Sequence, residues 1–168
     1  RQLPTDKSIM YDIDKETRVA KARAFFREGW NCCQSVAMAY ADVLGLPEKS
    51  VAKLASGFGG GFGRLREVCG CVSGMTLVAG AIVSADDPSD REARTANYAL
   101  VQEFADAYRK ENGSIICREL LGLNGGLREA PQPSERTAEY YRKRPCEELV
   151  GMAAGILADK LISLDIQK

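Results

Sequence analysis

The stretch Ser89–Gly113, SDREARTANYALVQEFADAYRKENG, decides the fold class. Ala93, Ala96, Leu100, Phe104, Ala107 and Tyr108 recur at three- and four-residue steps along it. That spacing places them on one face of a helix with about 3.6 residues per turn. Charged residues occupy much of the remainder, and Asn112-Gly113 supplies a left-handed terminator. The spacing predicts a helix over roughly 89–111.

The same period continues on both sides. Thr17–Glu28 carries Val19, Ala22, Phe25 and Phe26 on one face and stops at Gly29. Asn31 reads as the N-cap of a second helix running to about Leu44, closed by Gly45. Pro47 opens a short helix over Glu48–Ala55. A fourth is expected from Cys69 to Ser84, ended by Asp86, Asp87 and Pro88. Ser114 can cap a short helix through Leu121, and Pro145 opens the last, from Cys146 to about Ile162. Ser56–Arg64 and Asn124–Ser134, rich in glycine or proline, read as loops. No run of alternating β-branched residues is bounded by hairpin turns, and there is no internal repeat. The expected fold is all-α: a compact single-domain bundle of six to seven helices. Residues 1–16 read as an N-terminal extension and 17–168 as the helical domain.

Composition narrows the function. The 168 residues are enough to bury a real core, and the chain is 45% hydrophobic and 27% charged. Lys plus Arg and Asp plus Glu are 23 each, giving a formal charge of zero. No basic excess suggests nucleic acid or an anionic membrane as partner. The longest mostly apolar run, Met75–Ala85, is too short to span a bilayer. The chain starts at Arg1 and shows no signal-peptide core, so the expected compartment is the cytoplasm, with an exported form left open.

The chemistry must come from sulfur. The chain has six cysteines and no histidine, which excludes histidine-ligated zinc, histidine-held haem and histidine general bases. The cysteines are Cys32, Cys33, Cys69, Cys71, Cys117 and Cys146. On the helix boundaries above, Cys32, Cys69, Cys117 and Cys146 each stand in the first turn of a different helix. Unpaired N–H groups and a partial positive charge there favour a thiolate, by about 0.3–1 kcal/mol in exposed settings. Four such ends facing one point suit reactive thiolates or an anionic thiolate-ligated cluster. Taken singly, each cysteine could equally be a buried small hydrophobe. Cys33 reads as core filler, because adjacent helical residues lie about 100° apart around the axis. Cys69 and Cys71, two apart, are not expected to share a face, and the role of Cys71 stays open.

Ser56–Arg64 reads SGFGGGFGR, five glycines in nine residues. It is not a P-loop, since no Gly-Lys-Ser/Thr follows, and no G-x-G-x-x-G run follows a strand. Gly59, Gly60, Gly61 and Gly63 instead permit close backbone approach to an anionic centre bound by Cys69; a plain flexible connector is the alternative. Arg64 and Arg66 read as solvated, with neutralisation of a nearby negative charge as the alternative. Trp30 reads as a packing residue, and so do Tyr140-Tyr141, with covering a site as the alternative.

Together, Asn31-Cys32-Cys33-Gln34-Ser35-Val36, the glycine stretch 57–63, Cys69-Gly70-Cys71-Val72-Ser73-Gly74, Gly113-Ser114-Ile115-Ile116-Cys117 and Cys146 resemble the C-GCAxxG-C-C family of redox-active proteins, found mainly in anaerobic bacteria and archaea. The resemblance covers roughly residues 17–162. It implies a four-cysteine site of Cys32, Cys69, Cys117 and Cys146. It also implies similarity to the non-haem domain of split-Soret cytochromes, where iron–sulfur ligation has been considered. Cysteine replaces the commoner small residue at Cys33 and Cys71, leaving open which of each pair is the ligand. No Cys-x-x-Cys-His haem attachment site is present.

The leading expectation is therefore an iron–sulfur protein for electron transfer, or a redox module of a larger assembly, with an electron-transfer protein as partner and a homodimer compatible. The alternatives are a metal-free thiol–disulfide oxidoreductase and a structural zinc held by four cysteines.

Overall fold

The computed structural model describes residues 13–123, 125 and 128–166. Most of the expected N-terminal extension lies outside these residues, as does part of the Asn124–Ser134 loop. Helices α1 (Lys15–Arg27), α2 (Cys32–Met38), α3 (Ala41–Leu44), α4 (Glu48–Ala55), α5 (Gly70–Ile82), α6 (Arg91–Asn112), α7 (Cys117–Leu120), α8 (Ala138–Lys143) and α9 (Cys146–Ile166) follow in order. No strand occurs among the described residues; one isolated antiparallel bridge joins Val68 and Ile116. The all-α expectation holds.

The helix starts follow local chemistry. Asp14 accepts the Thr17 amide at 2.8 Å, and Asp90 accepts that of Ala93 at 2.8 Å. Asn31 and Gln34 form a reciprocal capping box ahead of α2. Ser114, expected as the cap of the next helix, stands two residues ahead of the actual N-cap. Its hydroxyl accepts the Ile116 amide at 2.9 Å, and Ile116 is the N-cap of α7. Helix α8 was not expected; Thr137 caps it by accepting the Tyr140 amide.

The expected helix to Leu44 breaks at Tyr40, which leaves helical geometry with φ −123° and ψ 27°. The break serves the core. Tyr40 is fully buried, and its hydroxyl donates to the Ala154 carbonyl of α9 at 2.5 Å. The Ala39 carbonyl freed by the break accepts from Arg18 at 2.7 Å, and the same guanidinium forks onto Asp42 at 2.6 Å.

Helix α9 runs through the middle. Leu149, Val150, Ala153, Ala154, Leu157, Ala158 and Leu161 are all buried along it, a broad apolar face. It packs against α1, α2, α5 and α6, with α1 as its closest partner. Burying a side chain such as Leu157 is worth about 1.5–3 kcal/mol. Helix α4 covers the far side of α2 and closes a second apolar cluster that includes Cys33, Met38, Val51 and Ala55. No helix among the described residues is long and apolar enough to cross a membrane.

The Arg18–Asp42 pair makes an acid-stability prediction. The Arg18 hydrogen bonds hold the Asp42 carboxyl below its ordinary value. A carboxyl depressed in the folded state stabilises the fold above its unfolded pKa, about 4, and loses that contribution as pH falls through the folded value. Urea midpoints measured from pH 5 down to pH 2 should therefore fall less steeply in Asp42→Asn than in the parent chain. Equal slopes would contradict the assignment.

Candidate functional site

The four helix-start cysteines share one cavity. Cys32 is the first residue of α2, Cys69 the N-cap of α5, Cys117 the first residue of α7 and Cys146 the first of α9. All four line a cavity of about 350 Å³. Cys33 and Cys71 do not line it. Of each pair, Cys32 and Cys69 line the space, while Cys71 stands behind them in hydrogen-bond contact with both.

Cys69 and Cys117 are set by the bridge that pairs Val68 with Ile116. The Cys69 amide donates to Ile115 at 2.8 Å, and the Cys117 amide donates to Glu67 at 2.6 Å. Gly70 lets α2 close on α5: a Cβ there would stand 3.0 Å from the Cys33 nitrogen and 3.1 Å from Cys32 Cβ. The glycine loop forms the opposite wall, with Gly59, Gly60, Gly61 and Gly63 lining the cavity. It is not a plain connector. After a 3₁₀ turn at Ser56–Phe58, residues 60–64 all take positive φ, and their backbone winds left-handed. The Arg66 amide returns to Gly60 and that of Glu67 to Gly61, both at 3.1 Å. Phe62, Arg64 and Arg66 bear side chains in this region, at a cost of order 1 kcal/mol each.

The sulfurs differ in environment. Hydrogen bonds from the Cys146 and Cys71 thiols hold Cys32 well below the ordinary thiol range. The bond to Cys32, reinforced by burial, pushes Cys146 up. Cys69 is lowered, first by its hydrogen bond with Cys71 and also by Tyr108. The Tyr108 hydroxyl lies 3.4 Å from the Cys69 sulfur, and burial raises the phenol, which keeps it neutral. Burial raises Cys117 despite the Arg66 guanidinium 3.7 Å from its sulfur. Burial also drives Cys33 to about 12, which suits a core residue.

Three expectations need correction. Cys69 and Cys71 do meet, because Cys69 stands outside the helix as an extended N-cap (φ −55°, ψ 134°), so helical rotation does not separate them. Arg64 and Arg66 are not solvated: their side chains are 21% and 12% exposed, and both pair with Glu129. Trp30, expected to pack, is 38% exposed. Tyr140 lines the cavity and carries Arg136 and Arg144 against its ring at 4.8 and 5.6 Å. From periodicity alone Tyr108 has only a place on the inner stripe of α6. A buried phenol needs a hydrogen-bond partner, and that was the available signal.

Among the described residues, the charged side chains lining the cavity are all arginines: Arg64, Arg66, Arg136 and Arg144. The space therefore suits an anionic occupant. Among the described residues no group of three or more cysteine or carboxylate side chains is arranged to hold a metal ion.

No curated protein and no solved structure matched the chain. A family model did match, over residues 30–160, and it is described as "putative redox-active protein (C_GCAxxG_C_C)". The match spans most of the 168 residues and contains all four cavity cysteines, and on that ground the chain belongs to the C_GCAxxG_C_C family.

Proposed function

We propose that the cavity is a redox centre in which Cys32, Cys69, Cys117 and Cys146 hold an iron–sulfur cluster for electron transfer to a protein partner. One observation carries this reading: thiols from four separate helix starts line a single cavity whose charged wall, among the described residues, is arginine. When bound, such a cluster supplies a reversible electron couple. The protein groups have definable tasks. Tyr108 donates to the Cys69 sulfur and Arg66 to that of Cys117, and donors to ligand sulfurs stabilise added negative charge. Arg136 holds the segment before α8 against α1 by donating to the Phe26 and Trp30 carbonyls at 3.3 and 3.1 Å. That helps to limit water access.

A second reading is favoured by one specific contact, the Cys146 thiol on the Cys32 sulfur. Here the Cys32 thiolate attacks a substrate disulfide and releases one thiolate. Cys146 then attacks the mixed disulfide, releasing the second thiol and leaving a Cys32–Cys146 disulfide. Structural zinc gains no support from the ligand arrangement.

Anaerobic reconstitution with iron and sulfide separates the readings. Expected are bound iron and acid-labile sulfide with visible charge-transfer absorption. These should be lost in Cys32→Ser, Cys69→Ser, Cys117→Ser and Cys146→Ser, and retained in Cys33→Ser. A protein that takes up neither iron nor sulfide, yet loses two thiols on mild oxidation, would replace the cluster reading with the dithiol one.

A further inference from the structure

Two arginines pair with one carboxylate at the cavity wall, and a third lies near enough to add its charge. Glu129 accepts from Arg66 Nε at 2.7 Å and pairs with Arg64 at 3.3 Å. Arg144 adds its charge from nearby. Arg144 has no ion pair of its own among the described residues; its guanidinium rests on the Tyr140 ring at 5.6 Å. All three arginines line the cavity, and Glu129 does not. Its side chain is 31% exposed, at the start of a segment without regular structure. Arg64 ties that segment down through the Ala130 carbonyl at 2.9 Å.

One carboxylate does not neutralise three guanidinium groups. Guanidinium forks match the paired oxygens of carboxylates and oxyanions, and Glu129 presents that geometry on a tether. A tethered carboxylate acts at high effective concentration but can be displaced by a free anion that engages more of the guanidinium donors. We propose that Arg64, Arg66 and Arg144 form a binding site for a small free oxyanion, which Glu129 fills in the ligand-free protein.

The position gives the site a role. Arg66 donates through Nε to Glu129 and through a terminal nitrogen to the Cys117 sulfur. An anion exchanged at one end of this guanidinium is thus one side chain away from a redox thiol. The inference needs the arginines and Glu129 but not the identity of the redox centre. It therefore stands or falls separately from the cluster reading.

Calorimetric titration of the anaerobically purified protein with sulfate and with phosphate, at low ionic strength, tests it. Removing the competing charge in Glu129→Gln should tighten sulfate binding by about tenfold or more, within the usual 5–150-fold span of coupling between sites. Adding Arg66→Gln to that variant should abolish saturable binding, and Arg144→Gln should weaken it. Arg109→Gln, whose parent residue pairs with Asp106 and does not line the cavity, is the control and should leave binding unchanged. Glu129→Ala, checked by its thermal midpoint, guards against a folding artefact. The proposal is overturned by an affinity equal in parent and Glu129→Gln, by no saturable binding in either Glu129 variant, by chloride binding as well as sulfate, or by an Arg109→Gln loss as large as that of Arg144→Gln.

Discussion

On the cluster reading proposed above, Gly61→Ala is expected to abolish iron uptake, and on any reading to destabilise the protein by about 2–4 kcal/mol, within the range of severe single substitutions. Gly61 has φ +65°, a region that disfavours any Cβ by about 1–2 kcal/mol. The larger part is steric. A Cβ there would stand 2.7 Å from the Glu67 nitrogen, 2.8 Å from Cys117 Cβ and 2.9 Å from the Arg66 carbonyl carbon. Two of these atoms are backbone, already fastened by the Glu67 amide on Gly61 and the Cys117 amide on Glu67. Relief requires parting the glycine loop from α7, which carries Cys117 away from the other three thiols. Gly80→Ala, with nothing within 4 Å and a helical setting, is the control and should be neutral or slightly stabilising. Urea unfolding and iron uptake read the two effects. A Gly61→Ala protein with the parent midpoint and full iron content would refute the close-approach argument.

Gly74→Val should be worse still for folding, costing about 3–5 kcal/mol, a large share of a typical total stability of about 5–15 kcal/mol. The nearest atoms to a Cβ at Gly74 are Val36 Cβ at 2.9 Å, Val36 Cγ1 at 3.1 Å and the Cys33 carbonyl oxygen at 3.2 Å. Valine would add two further methyl groups into this seam. Because Gly70 and Gly74 lie one turn apart and both face α2, no small rotation of α5 relieves one contact without tightening the other. The helices would have to separate, opening the buried cluster that includes Val36, Cys71 and Met75. Gly74→Ala should fall between parent and Gly74→Val. Thermal midpoints of the three proteins, read by circular dichroism, check the order, and a Gly74→Val protein melting with the parent would show that the seam is looser than described.

Helix positions were legible because periodicity and caps agree with packing. Asp90, Asn31 and Gly113 mark ends that the structure places within two residues of expectation. The break at Tyr40 was not legible. It depends on a carbonyl 114 positions along the chain that a local pattern does not contain. Likewise Cys32, Cys69, Cys117 and Cys146 were legible as helix starts, since caps and proline are local signals. That they line one cavity is a tertiary fact. The proximity of Cys71 to Cys69 was misread because the helix was begun one residue early, and that residue decides whether helical rotation applies. Arg66 and Glu129 are 63 positions apart, and nothing near either announces the other.

The pairing of the first and last helices sets a schedule. Lys15 meets Asp159 at 2.7 Å and Arg23 meets Glu148 at 2.6 Å, so α1 waits for a partner synthesised almost the whole chain later. Cys146 arrives with that partner. While a nascent chain still lacks α9, the bundle has no centre, and three thiols have no fourth. Assembly of the metal site, on the reading proposed above, must then follow the synthesis of α9. A chain stalled before residue 146 would present exposed thiols without the enclosure that protects them.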